Sequence, residues 1–288
     1  MISAHDVVFE HSGRRILRFK RSSPALYQEP VLFCFALVNR PYVLDLLPGK
    51  SVVERYLECG FDVYLLDWGV PRLADRTHTL DHYVEVLLRQ AIDHVLSAHR
   101  CARLHLLGYC MGGTMCTIFT ALHPSLIKTL TLLASPIDFA GDSLLNVWTQ
   151  PRYFDVEALL DAHGNCPGLM LQGSFLLMKP VQNLLEKYLS LYENLRDREY
   201  VGTFRAIERW TNDNIPVAGA VFRDFIEKLY RDNQLVRGTL HVGAGPVSLH
   251  RITCPLLLLT ADADHLVPSE STNRLRDHVG SRDVCAMS

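Results

Sequence analysis

The sequence of 288 residues predicts a mostly parallel, doubly wound α/β sheet that is interrupted once by a helical insertion. Three observations carry that prediction. Short, nearly continuous apolar runs alternate with helical stretches, as parallel strands covered on both faces require. The alternation stops between about residues 139 and 249 and then resumes. A strand-like run at 104–107 ends in a glycine-rich turn that opens directly onto an apolar helical stretch.

Residues 7–10 and 16–19 flank Ser12 and Gly13, a pattern that predicts an opening β-hairpin. Buried strands are expected at 31–37, 62–66, 104–107, 129–134 and 255–260, with helices at 52–58, 80–98, 111–122 and 269–278. Their alternation places successive strands parallel, with helices on both faces. Residues 282–287 resemble the beginning of one further strand.

The intervening stretch carries Trp148, Phe154, Tyr188, Phe204, Trp210, Phe222 and Tyr230, with polar breaks at 164–168 and 211–216. It reads as amphipathic helices, expected as a cap over the C-terminal edge of the sheet, with most of the aromatics forming a core of its own. The chain is thus expected to divide into a first core part at 1–138, a cap at 139–249 and a second core part at 250–288.

Apolar residues make up 48% of the chain and charged residues 21%, which excludes extensive disorder. The formal net charge is −2 and the basic residues form no long run, so composition gives no reason to expect nucleic acid or an anionic membrane surface as a partner. Eight cysteines are scattered without a C-x-x-C pair or a zinc-spaced Cys/His cluster, so no metal site is expected. Most should pack as small hydrophobes in a reducing compartment. No segment reaches the roughly 18 apolar residues of a membrane helix, and the N-terminus has no apolar core of signal-peptide length, so a cytoplasmic protein is expected.

Residues 104–113, LHLLGYCMGG, form a G-x-C-x-G nucleophile elbow. A sharp strand-to-helix turn projects the central side chain, Cys110, while small residues two positions either side let the chains pass closely. The helix it opens directs partial positive charge and free N–H groups at the reacting centre, which is expected to favour a thiolate and then an oxyanion. Covalent acyl-cysteine chemistry is the leading expectation.

After the strand at 255–260 comes the loop ADADHLVP, where a hydrolase of this architecture places its triad acid. Asp264 is the choice and Asp262 its neighbouring competitor. A thiol also requires a base within hydrogen-bond reach, ordinarily a histidine after one further strand, and none follows before Ser288. His105, His250 and His278 are expected in structural roles. His265 is the candidate substitute base, although neighbours in an extended loop point different ways.

The residues VNRPYVLDLLPGKSVVERYLECGFDVYLLDWG at 38–69, GYCMGGT at 108–114, ALHP at 121–124, SPIDF at 135–139, RWTNDNIPVAG at 209–219 and ADADHLVP at 261–268 span nearly the whole chain. With them the chain resembles the catalytic subunit of a polyhydroxyalkanoate synthase of the α/β-hydrolase superfamily, closest to the short-chain-length, two-subunit class III type. Cysteine at position 110, where common α/β-hydrolases have serine, fits that family. The resemblance implies an acyltransferase that polymerises (R)-3-hydroxyacyl-CoA into polyester and releases coenzyme A, with no cofactor beyond the substrate thioester. It implies that Cys110 holds the growing chain as a thioester, and that Asp264 orients the base or helps activate the incoming 3-hydroxyl. The backbone N–H groups of Met111 and Val38 would form the oxyanion hole, and Trp210 would shape the substrate entrance. A second synthase subunit, a homo- or hetero-oligomer and association with the polyester granule surface are implied as well. Members of the family continue to a Gly-His loop carrying the base. Its absence before Ser288 leads us to expect a truncated record, or else a degenerate paralogue acting as a non-catalytic partner. A cysteine-elbow thioesterase is the remaining enzymatic reading.

Overall fold

The structure is a computed structural model that describes residues 1–141, 143–180 and 182–288. The strands of its main sheet are β1 (His5–His11), β2 (Arg14–Phe19), β3 (Val31–Cys34), β4 (Val63–Asp67), β5 (Leu104–Tyr109), β6 (Ile127–Leu133), β7 (Leu256–Leu259) and β8 (Val284–Met287). Among the described residues these eight form one sheet in the order β1-β2-β4-β3-β5-β6-β7-β8. The hairpin β1–β2 and the pair β2–β4 are antiparallel, and every later pair is parallel. Chain order reverses around β3, so a crevice opens beyond the carboxyl ends of β3 and β5, where open α/β sheets hold their sites.

The helices of the sheet region are α1 (Val52–Glu58), α2 (Arg89–His99) and α3 (Met111–Leu122). Ser51 caps α1 by accepting the Glu54 N–H at 2.9 Å. Ten of the twelve α3 residues are buried. A helix apolar on all sides belongs inside the molecule, and α3 sits where β5 delivers it. Between β6 and β7 follow α4 (Leu144–Trp148), α5 (Val156–His163), α6 (Gly168–Met178), α7 (Lys187–Glu193), α8 (Arg198–Thr211), α9 (Gly219–Asp224) and α10 (Gln234–Arg237). After β7 comes α11 (Ser269–Asn273).

Several expected elements differ in detail. The strand expected at 31–37 leaves the ladder after Cys34, because the Phe35 carbonyl instead accepts the Trp68 indole N–H at 2.9 Å. The helix expected at 80–98 begins with a wide π-turn segment, His82–Leu88, before α2. The helix expected at 269–278 tightens to a 3₁₀ turn at Arg274–Asp277.

A larger correction concerns the insertion's core. Phe139, Val156, Cys166, Val221, Phe222, Phe225 and Leu229 join the same apolar cluster as Leu106, Ile118 and Phe119 of the sheet region. The inner part of the insertion therefore completes the main core and does not enclose one of its own. The outer part behaves differently: neither α7 nor α8 has a fully buried residue among those described, and Leu169, Leu189 and Tyr192 are exposed.

Candidate active site

The elbow is built as the glycine spacing requires. Cys110 joins β5 to α3 at φ 51°, ψ −126°, a conformation an L-residue adopts only where its surroundings enforce it. Three features hold it. The Cys110 N–H donates to the Leu133 carbonyl at 3.0 Å, and the Gly113 N–H donates to the Cys110 carbonyl at 2.8 Å. A Cβ on Gly112 would meet the Phe35 carbonyl carbon at 2.7 Å and the Cys34 carbonyl oxygen still closer, so α3 starts hard against the end of β3. That contact brings the turn after β3, with Val38, to the start of α3.

Met111 is the first residue of α3, where helical N–H groups lack intrahelical partners, and its N–H favours the ionised form of the Cys110 sulfur. The Val38 carbonyl accepts the Ile215 N–H at 3.3 Å, which ties this turn to the insertion. Val38, Cys110, Met111 and Trp210 all pack on one apolar cluster of buried residues. Trp210 is further fixed by donating its indole N–H to the Arg40 carbonyl at 2.8 Å.

Asp264 lies in the loop after β7. Its Oδ1 accepts the N–H groups of Leu266 and Val267, each at 2.9 Å, so the loop itself orients the carboxylate. Asp264 is half-buried whereas Asp262 is exposed. Electrostatically, Asp264 is felt at Cys110 and at Tyr109. The helix N-terminus, expected to favour a thiolate, is opposed at Cys110 by burial. Loss of solvation pushes the Cys110 thiol up to about 11; the Met111 N–H lowers it and the charge of Asp264 raises it further, and burial wins.

The histidines occupy the following places. His105 on β5 bonds Thr129 Oγ1 at 2.8 Å, and burial lowers its pKa. His250 is exposed in a 3₁₀ turn, and His278 follows the turn at Arg274–Asp277. His265 lines a cavity beside the Asp264 loop. Among the described residues, no histidine shares a hydrogen bond or ion pair with Cys110 or Asp264.

That cavity has a volume of about 540 Å³, and Phe139, Met178, Lys179, Tyr230, His265 and Leu266 contribute to its wall. Trp210 is not part of the wall, and neither is Cys110. Tyr230, one of the aromatics expected to pack, stands in that wall. It belongs both to the cavity wall and to the surroundings of Cys110, whose charge, after burial, raises the Tyr230 pKa.

Comparison with known proteins agrees with this architecture. Residues 30–286 match the family model of the α/β hydrolase fold. Among solved structures, a hydrolase from Pseudomonas aeruginosa PA01 superposes with a TM-score of 0.55 at 16% identity, covering 100% of this chain and 91% of that one. A monoacylglycerol lipase from Paleococcus ferrophilus gives 0.51 at 18% identity, covering 94% and 87%. These likenesses concern the fold alone. The poly(3-hydroxyalkanoate) polymerase subunit PhaC of Haloferax mediterranei is 38% identical over 281 residues, which are 97% of this chain and 57% of the relative. The PhaC subunit of Haloarcula marismortui is 36% identical, with 60% of its length covered. That of Allochromatium vinosum is 35% identical over 285 residues, 98% of this chain and 80% of the relative. This chain therefore spans somewhat over half the length of the two haloarchaeal relatives and four-fifths of the third. A cysteine elbow on an eight-stranded hydrolase sheet, matched at these identities over almost every residue, establishes that the chain belongs to the poly(3-hydroxyalkanoate) polymerase PhaC family.

Proposed function

We propose that this chain carries the acyl-transfer centre of a poly(3-hydroxyalkanoate) polymerase, using Cys110 to take a 3-hydroxyacyl group from coenzyme A. The observation that carries the reading is a cysteine held at the elbow with the Met111 N–H directed at its sulfur. In the acylation step Cys110 Sγ bonds to the thioester carbonyl carbon, the bond to the coenzyme A sulfur breaks, and the proton lost by Cys110 ends on the departing thiol. One thioester replaces another, so the step is close to balanced and the acyl group stays reactive towards a hydroxyl. The N–H groups of Met111 and Val38 would take the transient oxyanion. Beside a thiolate, the like charge of Asp264 is unfavourable, so the carboxylate suits a later step in which it accepts a proton from, or orients, the neutral 3-hydroxyl of the acyl group. The helical insertion would keep water from the acyl-cysteine and so favour chain growth over hydrolysis. We assign the substrate as (R)-3-hydroxyacyl-CoA, with no cofactor beyond it, and assign a second synthase subunit and the polyester granule surface as partners within the cytoplasm. We further propose residues 139–249 as the cap of this enzyme, with Trp210 at its entrance and His265 as the nearest imidazole to the acid loop.

The test is to incubate the chain with (R)-3-hydroxybutyryl-CoA while following free thiol release and the mass of the Cys110 peptide. The reading expects coenzyme A release together with a hydroxybutyryl adduct on Cys110, both lost in Cys110→Ala. A second reading is a non-catalytic partner of a synthase. That reading gains if no adduct forms and Cys110→Ala changes nothing. Free hydroxybutyrate without polymer would instead indicate a thioesterase.

A further inference from the structure

We propose that Thr272 is a positioning residue: through the turn at 134–138 it holds the Asp264 loop in a fixed place against the elbow. The proposal rests on the acid role given to Asp264 above and names the group that places that acid.

The sheet order creates the need. β6 lies between β5 and β7, and all three run parallel. The chain leaving β6 therefore passes between the elbow at the end of β5 and the acid loop at the end of β7. Among the described residues, the hydrogen bonds of Asp264 stay within its own loop: Oδ1 accepts from Leu266 and Val267, and its N–H donates to the Ala261 carbonyl at 3.0 Å. Such bonds shape a loop, but its place relative to the elbow has to come from contacts at its two ends.

The turn at 134–138 makes those contacts and reaches the elbow as well. On the elbow side, the Cys110 N–H donates to Leu133, and the buried Ser135 hydroxyl lies 3.2 Å from the carbonyl oxygens of both Gly108 and Leu133. Thr114 Oγ1, one turn into α3, donates to the Pro136 carbonyl at 2.6 Å. A Cβ on Gly113 would strike the Ser135 hydroxyl, so that glycine admits the contact. On the acid side, the Ala134 N–H donates to the Leu259 carbonyl at 2.8 Å, just before the loop begins. Beyond the loop, in α11, Thr272 Oγ1 donates to the Ser135 carbonyl and Ser271 Oγ to the Asp138 carbonyl, each at 2.6 Å. Ser135 thus touches the elbow through its side chain and α11 through its carbonyl. Ala134 sits at φ 46°, a left-handed conformation that an L-residue keeps only where its neighbours enforce it. Thr272 is fully buried, so bulk water does not replace its bond to Ser135. Valine would fill the same space, and the hydroxyl is what the Ser135 carbonyl uses.

The experiment reads the placement of the carboxylate from the sulfur of the full chain. Alkylation of Cys110 by iodoacetamide is followed at about pH 8 from the mass of its peptide. The rate follows the thiolate fraction, which a carboxylate held nearby suppresses. Asp264→Asn should therefore speed alkylation about threefold in the wild type, the equivalent of about half a pH unit. In Thr272→Val the same Asp264→Asn change should speed it less than about 1.5-fold, because the carboxylate has left its place. Thr272→Ser keeps the hydroxyl and should restore the threefold response. A role confined to stability leaves this ratio intact, since both members of each pair carry the same defect. Ser271→Ala removes the neighbouring bond, should weaken the response in the same direction, and serves where Thr272→Val does not fold. A full threefold response in Thr272→Val or, in its place, Ser271→Ala overturns the proposal. So does a Thr272→Ser that behaves as Thr272→Val, or a wild type indifferent to Asp264→Asn. Adduct formation from (R)-3-hydroxybutyryl-CoA is scored separately, so the acyl-transfer reading stands or falls on its own result.

Discussion

Helices α3 and α8 both contain glycine, and the same residue type means opposite things in them. In α3, Gly112 lies where a Cβ would strike the backbone of Cys34 and Phe35. In α8, Gly202 faces solvent, with nothing within 4 Å of the space a Cβ would fill. The first glycine is required by a close approach of two chains. The second is an interior helical glycine without a contact that needs it. The difference teaches where this molecule is over-determined: tightly around the elbow, loosely in the outer layer of the insertion.

The largest expected effect breaks the tight side. Gly112→Ala must push α3 off the end of β3 or distort the turn that carries Val38, and the neighbours are backbone atoms that cannot swing aside. We expect a loss of about 3 kcal/mol or more in urea unfolding, together with loss of Cys110 acylation, since overpacked cores typically cost 1–3 kcal/mol and backbone clashes exceed that. A loss under about 1 kcal/mol would show that the elbow has slack and would end the contrast.

Next comes the chemistry that tight packing imposes. With the Cys110 thiol pushed up to about 11, chiefly by burial, its alkylation should rise about tenfold per pH unit and level off only near that value. The sign follows from which form reacts: the thiolate is the nucleophile, and a raised pKa keeps it scarce below the plateau. Removing the nearby charge with Asp264→Asn should move the plateau to lower pH, because the like charge of the carboxylate opposes the thiolate. A plateau near pH 8 in the wild type would mean that the α3 N-terminus outweighs burial after all.

Between the two extremes stands the seam where the insertion joins the core. Asn233 adopts φ 48°, accepts the Phe139 N–H at 3.1 Å and donates to Asp138 at 2.8 Å, all while buried. Asn233→Ala should cost about 2 kcal/mol by urea unfolding, since two buried polar partners are left unmet and alanine disfavours the left-handed backbone. Asn233→Gly removes the second penalty only, so it should recover a fraction of the loss. Equal stability of both variants with the wild type would show that this seam is not a structural joint.

Most of the sheet was legible in the sequence because buried parallel strands are apolar throughout, and the elbow was legible because its glycines answer to backbone contacts. Cys110 and the Asp264 loop were found on the same grounds, each being fixed by local chain geometry. The proposed oxyanion partner Val38 depends on β3 ending beside α3, a long-range contact that only the resemblance supplied. The insertion was the least readable part. Phe222 and Phe225 complete the main core whereas Tyr192 is exposed, although all three look alike in an amphipathic pattern. Periodicity likewise assigns Tyr230 to a packed face and is silent about the cavity it lines.

The smallest expected effect has the opposite sign from the first and sharpens the comparison. Gly202 is interior to α8, Arg198–Thr211, whose N-terminus is capped by Asp197 through the N–H groups of Glu199 and Tyr200 at 2.9 and 3.1 Å. Its conformation is helical, so alanine fits without strain and reduces the freedom of the unfolded chain. Gly202→Ala should therefore stabilise the protein by about 0.5–1 kcal/mol, seen as a higher urea midpoint at unchanged slope. Gly173, interior to α6 and likewise free of contacts, should respond in the same direction. If both substitutions destabilise the chain, the outer helices are held by approaches as close as those at the elbow. If both stabilise it while Gly112→Ala unfolds it, selection for a fixed backbone is confined to the neighbourhood of Cys110.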